Sequence, residues 1–97
     1  MTEKCWKRAE RRIAELLGGR RVPVSGRQRG ATPDVEHDAL SIEVKTRKSL
    51  PVWLEDALRQ AEASSGAGQT PVAVLHQHGQ RYRDALVVMR LKDFDVL

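Results

Sequence analysis

Pro33-Asp34-Val35-Glu36-His37-Asp38-Ala39-Leu40-Ser41-Ile42-Glu43-Val44-Lys45-Thr46 is the stretch on which the fold of this chain turns. Two runs of alternating apolar and polar residues, 33–36 and 40–46, flank a polar turn around His37-Asp38, which predicts two strands of a hairpin. Successive side chains of a strand point to opposite faces. Leu40, Ile42 and Val44 therefore share one face, and Ser41, Glu43 and Lys45 the other. Glu43 and Lys45 stand side by side, about 7 Å apart at their Cα atoms. Asp34 precedes Glu43 by nine residues at the start of the neighbouring strand, and a hairpin of that length brings the two carboxylates together. Facing carboxylates repel unless a cation joins them. Oxygen donors with water completing the shell suit Mg²⁺ or Mn²⁺. Taken alone, Glu43 and Lys45 read better as a surface ion pair on an exposed strand face; Asp34 at hairpin distance and Glu10 on the first helix weigh against that.

Working outward, residues 3–17 read as an amphipathic helix ended by Gly18-Gly19, and residues 21–25 as a short strand. A basic loop with a glycine at each end, Gly26-Arg27-Gln28-Arg29-Gly30, follows. Beyond the hairpin, a second helix is predicted over 51–63 with Pro51 in its first turn, then strands over 71–76 and 85–90 connected around Gly79. The tail, 91–97, forms a short helix or turn. Helix, three strands, helix and two strands make an α/β sheet with helices packed on it.

The first helix carries an anomaly. At 100° per residue, Trp6, Ala9, Ile13, Leu16 and Leu17 make one apolar stripe, and Glu10 falls on it, about 40° from Trp6. A carboxylate on a buried face needs a partner or a metal. The structural alternative is a Glu at the edge of the stripe, paired to a neighbouring Arg.

Ninety-seven residues are expected to form one domain, 1–97, and one so short is marginal as a monomer, which favours a partner subunit. Its longest uncharged apolar run, Ala85–Met89, cannot span a bilayer, and no apolar segment follows the charged N-terminus as in a signal peptide. Cys5 is the single cysteine and fits a reducing compartment, so a cytoplasmic protein without a membrane role is expected. Charge is uneven: residues 1–48 hold twelve Lys and Arg against seven Asp and Glu, residues 49–97 five against six. A one-sided basic surface points to a polyanion, and nucleic acid is the commonest one in the cell. His76 and His78 lack two further ligands for zinc, since only His37 and the distant Cys5 remain; they read as solvated residues near a turn. Trp53 reads as packing, with an exposed place at a dimer or DNA surface as the alternative.

Pro33-Asp34 followed by Glu43-Val44-Lys45 resembles the signature of the PD-(D/E)XK nuclease superfamily. Four segments, Ala9-Glu10-Arg11-Arg12-Ile13, Val24-Ser25-Gly26, Thr32-Pro33-Asp34-Val35 and Ile42-Glu43-Val44-Lys45-Thr46-Arg47, are similar in order and spacing to archaeal-type Holliday junction resolvases. The resemblance covers roughly residues 3–65, about two-thirds of the chain, which is shorter than typical family members. It implies a restriction-endonuclease-like fold, a central mixed five-stranded sheet flanked by helices. It further implies a Mg²⁺-dependent endodeoxyribonuclease of DNA recombination and repair, with Mn²⁺ able to substitute, cutting four-way junctions as a homodimer. Asp34, Glu43 and the Val44 carbonyl would hold the metal, and Glu10 would complete the site directly or through water. Lys45 would hold the attacking water or offset charge on the phosphate, and Ser25 would contact phosphate or a metal-bound water. Arg27, Arg29, Arg47 and Lys48 would touch the phosphate backbone. The alternatives are another nuclease of the same superfamily (repair, restriction or non-specific) and a catalytically inactive DNA-binding module.

Overall fold

Helix α1, Cys5–Leu17, begins after Lys4 without a side-chain cap and stops at Gly18, whose φ of 75° is left-handed. The Gly18 and Gly19 amides donate to the Glu15 and Ala14 carbonyls, satisfying acceptors the helix end would otherwise leave bare. A side chain at Gly19 would collide with the Glu36 carbonyl and lie 2.8 Å from Val35 Cγ1, so the next layer approaches the helix exit only because glycine is there. In this computed structural model, residues 4–23 and 33–94 are described. They belong to two compact units, Met1–Lys48 and Ser49–Leu97.

In the Met1–Lys48 unit, α1 leads into β1 (Arg20–Arg21), followed by β2 (Val35–Glu36) and β3 (Ser41–Ile42). The three form an antiparallel sheet in the order β1-β2-β3, with Arg21 opposite Val35 and Val35 opposite Ile42. Val35, on the central strand, is fully buried, and Ala14 and Val22 are buried with it. The predicted turn closes the hairpin, with His37 Nδ1 accepting from the Ala39 amide at 3.0 Å. On α1 the buried positions are Glu10 and Ala14, whereas Leu16 is 54% exposed. The inward face is thus rotated from the apolar stripe toward Glu10, which lies in the middle of it.

The Ser49–Leu97 unit comprises α2 (Val52–Ser64), β4 (Ala73–Leu75), a 3-10 turn (Tyr82–Asp84), β5 (Leu86–Val88) and α3 (Leu91–Phe94). Pro51 precedes α2 rather than entering it, and its carbonyl accepts from the Leu54 and Glu55 amides. Leu58 and Ala73 are buried where α2 packs on β4. The β4 and β5 strands pair antiparallel, with Val74 opposite Val87.

Mixed α/β architecture is therefore present, with five strands where five were predicted. Among the described residues they are paired in a three-stranded and a two-stranded ladder, both antiparallel, rather than in one mixed sheet. The strands are also shorter than predicted: β3 ends at Ile42 instead of Thr46, and the later part of the 21–25 strand lies outside the described residues. No described helix is long and apolar enough to cross a membrane.

Arg90, just after β5, ties the second unit together. Its guanidinium donates to Glu62 at 3.3 Å and to Glu55 at 3.2 Å, two acids spaced two helical turns apart on one face of α2. The hydrogen bond from Arg90 holds the Glu62 carboxyl below its ordinary value against the opposing effect of burial, and the same bond raises Arg90. A depressed carboxylate contributes stability that is complete above the ordinary glutamate value of about 4.3 and is lost as pH falls through the lower folded value. Arg90→Met should therefore flatten the acid limb. Between neutral pH and about pH 3, the urea midpoint of the variant should fall less than that of the wild type. Equal falls would show that the contact carries no stability.

Candidate functional site

Asp34 stitches the first sheet together at the point where β2 begins. Its amide donates to the Ile42 carbonyl at 3.0 Å, and its own carbonyl accepts from the Val22 amide at 2.9 Å. Its Oδ2 accepts from the Val44 amide at 2.7 Å, and the residue is only 7% exposed. The β3 ladder has ended by then, so the carboxylate takes the place of a strand partner for Val44. Glu43 is held between two residues, Ile42 and Val44, that both bond to Asp34. Beyond the ladder the alternation persists: Leu40, Ile42 and Val44 are half-buried, while Ser41, Glu43 and Lys45 are exposed. Glu43 and Lys45 thus share the exposed face, as the spacing predicts.

Glu10 comes to the same sheet from α1. It is 4% exposed, and its Oε2 accepts from Arg21 Nε at 2.8 Å. The Arg21 guanidinium also lies 5.8 Å from the centre of the Trp6 ring. Arg21 precedes Val22, whose amide bonds to the Asp34 carbonyl, so the partners of the two buried acids are consecutive where β1 ends. Arg21 is the residue that sequence reasoning missed. The signal lay in distances from the glycine pair: Glu10 is roughly 12 Å back along a helix from Gly18, and Arg21 roughly 10 Å forward along a strand. A strand folding back on the helix brings the two level.

No family model, curated protein or solved structure matches this chain. Its site is therefore weighed on its own geometry. Ser25, Arg27 and Arg29 lie outside the described residues. Arg47 and Lys48 are exposed, and Arg47 donates to the Thr46 carbonyl at 3.0 Å. A depression of about 660 Å³ in the same unit is lined by Gly19, Arg20, Glu36, His37 and Asp38 among others, and includes none of Glu10, Asp34, Glu43 or Lys45.

The donor chemistry around Asp34 suits a hard cation. Asp34 and Glu43 carry carboxylates and Val44 a main-chain carbonyl, oxygen donors of the kind Mg²⁺ accepts, and Mg²⁺ keeps several waters when held by one or two carboxylates. Among the described residues no group of three or more His, Cys, Asp or Glu side chains is gathered to hold a metal ion.

Proposed function

We propose that this chain is a metal-dependent endodeoxyribonuclease of the PD-(D/E)XK type that cuts four-way DNA junctions as a homodimer. The observation that carries the proposal is the seating of Asp34: buried, bonded through its main chain to Val22 and Ile42, and closed by its side chain on Val44. This fixes one carboxylate beside the segment that presents Glu43 and Lys45.

Asp34, Glu43 and the Val44 carbonyl would hold Mg²⁺, which when bound orients the phosphate and lowers the pKa of a coordinated water. Lys45, on the exposed face with Glu43, offers its ammonium to the attacking water or to the phosphate oxygens as charge builds there. Glu10, held by Arg21, acts at the edge of the site and keeps the guanidinium in place. Arg47 and Lys48, with Ser25, Arg27 and Arg29 of the basic loop, would contact the backbone on either side of the cut. Hydrolysis adds water across the phosphodiester bond, leaving one phosphate end and one hydroxyl end. Two cuts related by symmetry in a junction need two sites related by a two-fold axis, hence a dimer. Half-buried Phe94 would contribute to its interface, together with Val96 and Leu97 beyond the described residues.

One observation favours a second reading, a DNA-binding module without catalysis: Glu10 is already neutralised by Arg21, and no third carboxylate joins Asp34 and Glu43 among the described residues. Incubating a labelled four-way junction and a matching linear duplex with Mg²⁺ or with EDTA separates the readings. Paired cuts in the junction alone, only with Mg²⁺, and a dimer by light scattering are the expected results. Equal cutting of both substrates would make it a different nuclease of the same chemistry. Tight binding without cutting under any divalent ion would leave the module.

A further inference from the structure

The Ser49–Leu97 unit carries an aromatic surface that the cleavage proposal does not use. Tyr82 is 85% exposed, yet its ring is not loose: it stacks on His76 with centroids 4.7 Å apart and planes 27° from parallel. His76 is exposed too, and its Nε2 lies 2.7 Å from the Gln80 carbonyl. Gln80 organises the whole turn. Its side chain accepts from the Gln77 amide at 3.2 Å and donates to the Asp84 carbonyl at 3.1 Å, joining the β4 end to the 3-10 turn that bears Tyr82. One face of the tyrosine is covered by the imidazole and the other is offered to solvent in a fixed orientation.

Beside the stack, His76 also walls a depression of about 450 Å³ whose other sides include Trp53, Val74, Leu75, Gln80 and Leu86. Trp53 is 62% exposed and Leu86 63%, so the floor is apolar and the rim flat. Basic residues sit directly on either side of the tyrosine. Arg81 and Arg83 flank Tyr82, and no Asp or Glu occurs between Glu62 and Asp84. Arg81 is paired with Asp84 at 3.0 Å, whereas Arg83 is exposed and makes no ion pair with a described carboxylate. Flat, exposed aromatic rings with arginines beside them suit a ligand that is planar and anionic in alternation. Single-stranded nucleic acid has that character, because every unpaired base offers a π face and every linkage a phosphate. A duplex hides those faces in its own stack. A second apolar surface would gain nothing from the flanking arginines, and an acidic peptide would gain nothing from exposed flat rings spaced for stacking.

We infer that Tyr82, His76 and Trp53 form a stacking platform for unpaired bases of single-stranded DNA, with Arg81 and Arg83 holding the adjoining phosphates. This platform is independent of cleavage and does not need the metal.

Fluorescence anisotropy of a labelled oligodeoxythymidylate, titrated with the full chain in EDTA, tests it without any cutting. Tyr82→Ala and Trp53→Ala should each raise Kd about tenfold, the loss of one stacked base, while Tyr82→Phe should bind like the wild type. A strand of equal length with abasic sites should bind about a hundredfold more weakly than the thymidylate, the loss of both stacked bases, and should not respond to Tyr82→Ala. Equal binding of the abasic strand, or an unchanged Kd for Tyr82→Ala, would overturn the platform. So would a change in oligomeric state by light scattering with no change in strand binding, because the face would then pair with a second copy. Since Tyr82 points into solvent, its removal leaves the fold intact. Absence of nuclease activity on any substrate would sink the cleavage proposal and leave this one standing.

Discussion

Glu43→Gln is expected to lower cleavage by about a thousandfold, on the order of 4 kcal/mol of transition-state stabilisation, while the DNA is bound as tightly as before or more tightly. The substitution changes charge and little else. Glu43 is exposed, and no hydrogen bond ties its carboxylate to a described group, so glutamine fits without disturbing the fold. In the proposed site it would remove one anionic oxygen ligand, and a neutral amide is a poor ligand for a hard dication. Binding should not fall, because an acid beside the phosphates repels them. Asp34 is the less clean test. Its Oδ2 takes the Val44 amide at 2.7 Å in a site only 7% exposed, so Asp34→Ala would leave that N–H unsatisfied and confound lost folding with lost chemistry. Single-turnover cleavage by Glu43→Gln, beside a binding curve in Ca²⁺ or EDTA, gives both quantities. More than a tenth of wild-type turnover would remove Glu43 from the metal site.

Periodicity made most of the architecture readable. The Gly18-Gly19 stop, the Pro51 start, the turn at His37-Asp38 and the Gly79 connection were each written in residues with a local conformational reason. Elements controlled by such residues lie within a few positions of their predicted limits. Strand ends were not legible. Glu43 to Thr46 alternate as a strand should, but whether their amides find a ladder depends on what lies opposite, and Asp34 supplies a side chain there instead. Strand grouping was hidden for the same reason, since alternation says which face is buried and not which neighbour is paired.

The site shows the same division. That Glu43 and Lys45 share an exposed face, with Asp34 at the next segment, follows from a period of two and a hairpin length. Apolar counting placed Glu10 on the stripe with Leu16, whereas the structure buries Glu10 and Ala14 and leaves Leu16 exposed. A small alanine admits the neighbouring sheet closely, and a paired glutamate is no obstacle to burial once Arg21 meets it. Hydrophobicity alone cannot register either effect.

Glu10 is thereby both a structural partner and a proposed member of the site, and the two roles predict different double variants. Glu10→Ala should cost about 2–3 kcal/mol of stability, because it leaves the Arg21 guanidinium without its charged acceptor. The Arg21 side chain is 21% exposed, so water compensates only in part. Arg21→Met alone should cost a similar amount, since it takes the Arg21 hydrogen bond from a carboxylate whose side chain is 5% exposed. Replacing both, Glu10→Met with Arg21→Met, removes the unpaired charge along with the pair, and apolar substitutes of like volume restore most of the stability. If Glu10 did nothing but balance Arg21, cleavage would return with the fold. A role at the metal site predicts otherwise: the double variant melts near the wild type, yet its cleavage stays at least about a hundredfold down, the loss typical of a supporting ligand. Urea titration and single-turnover cleavage of the two single variants and the double variant form a complete cycle. Recovery of both stability and cleavage would make Glu10 a buried counter-ion and nothing more.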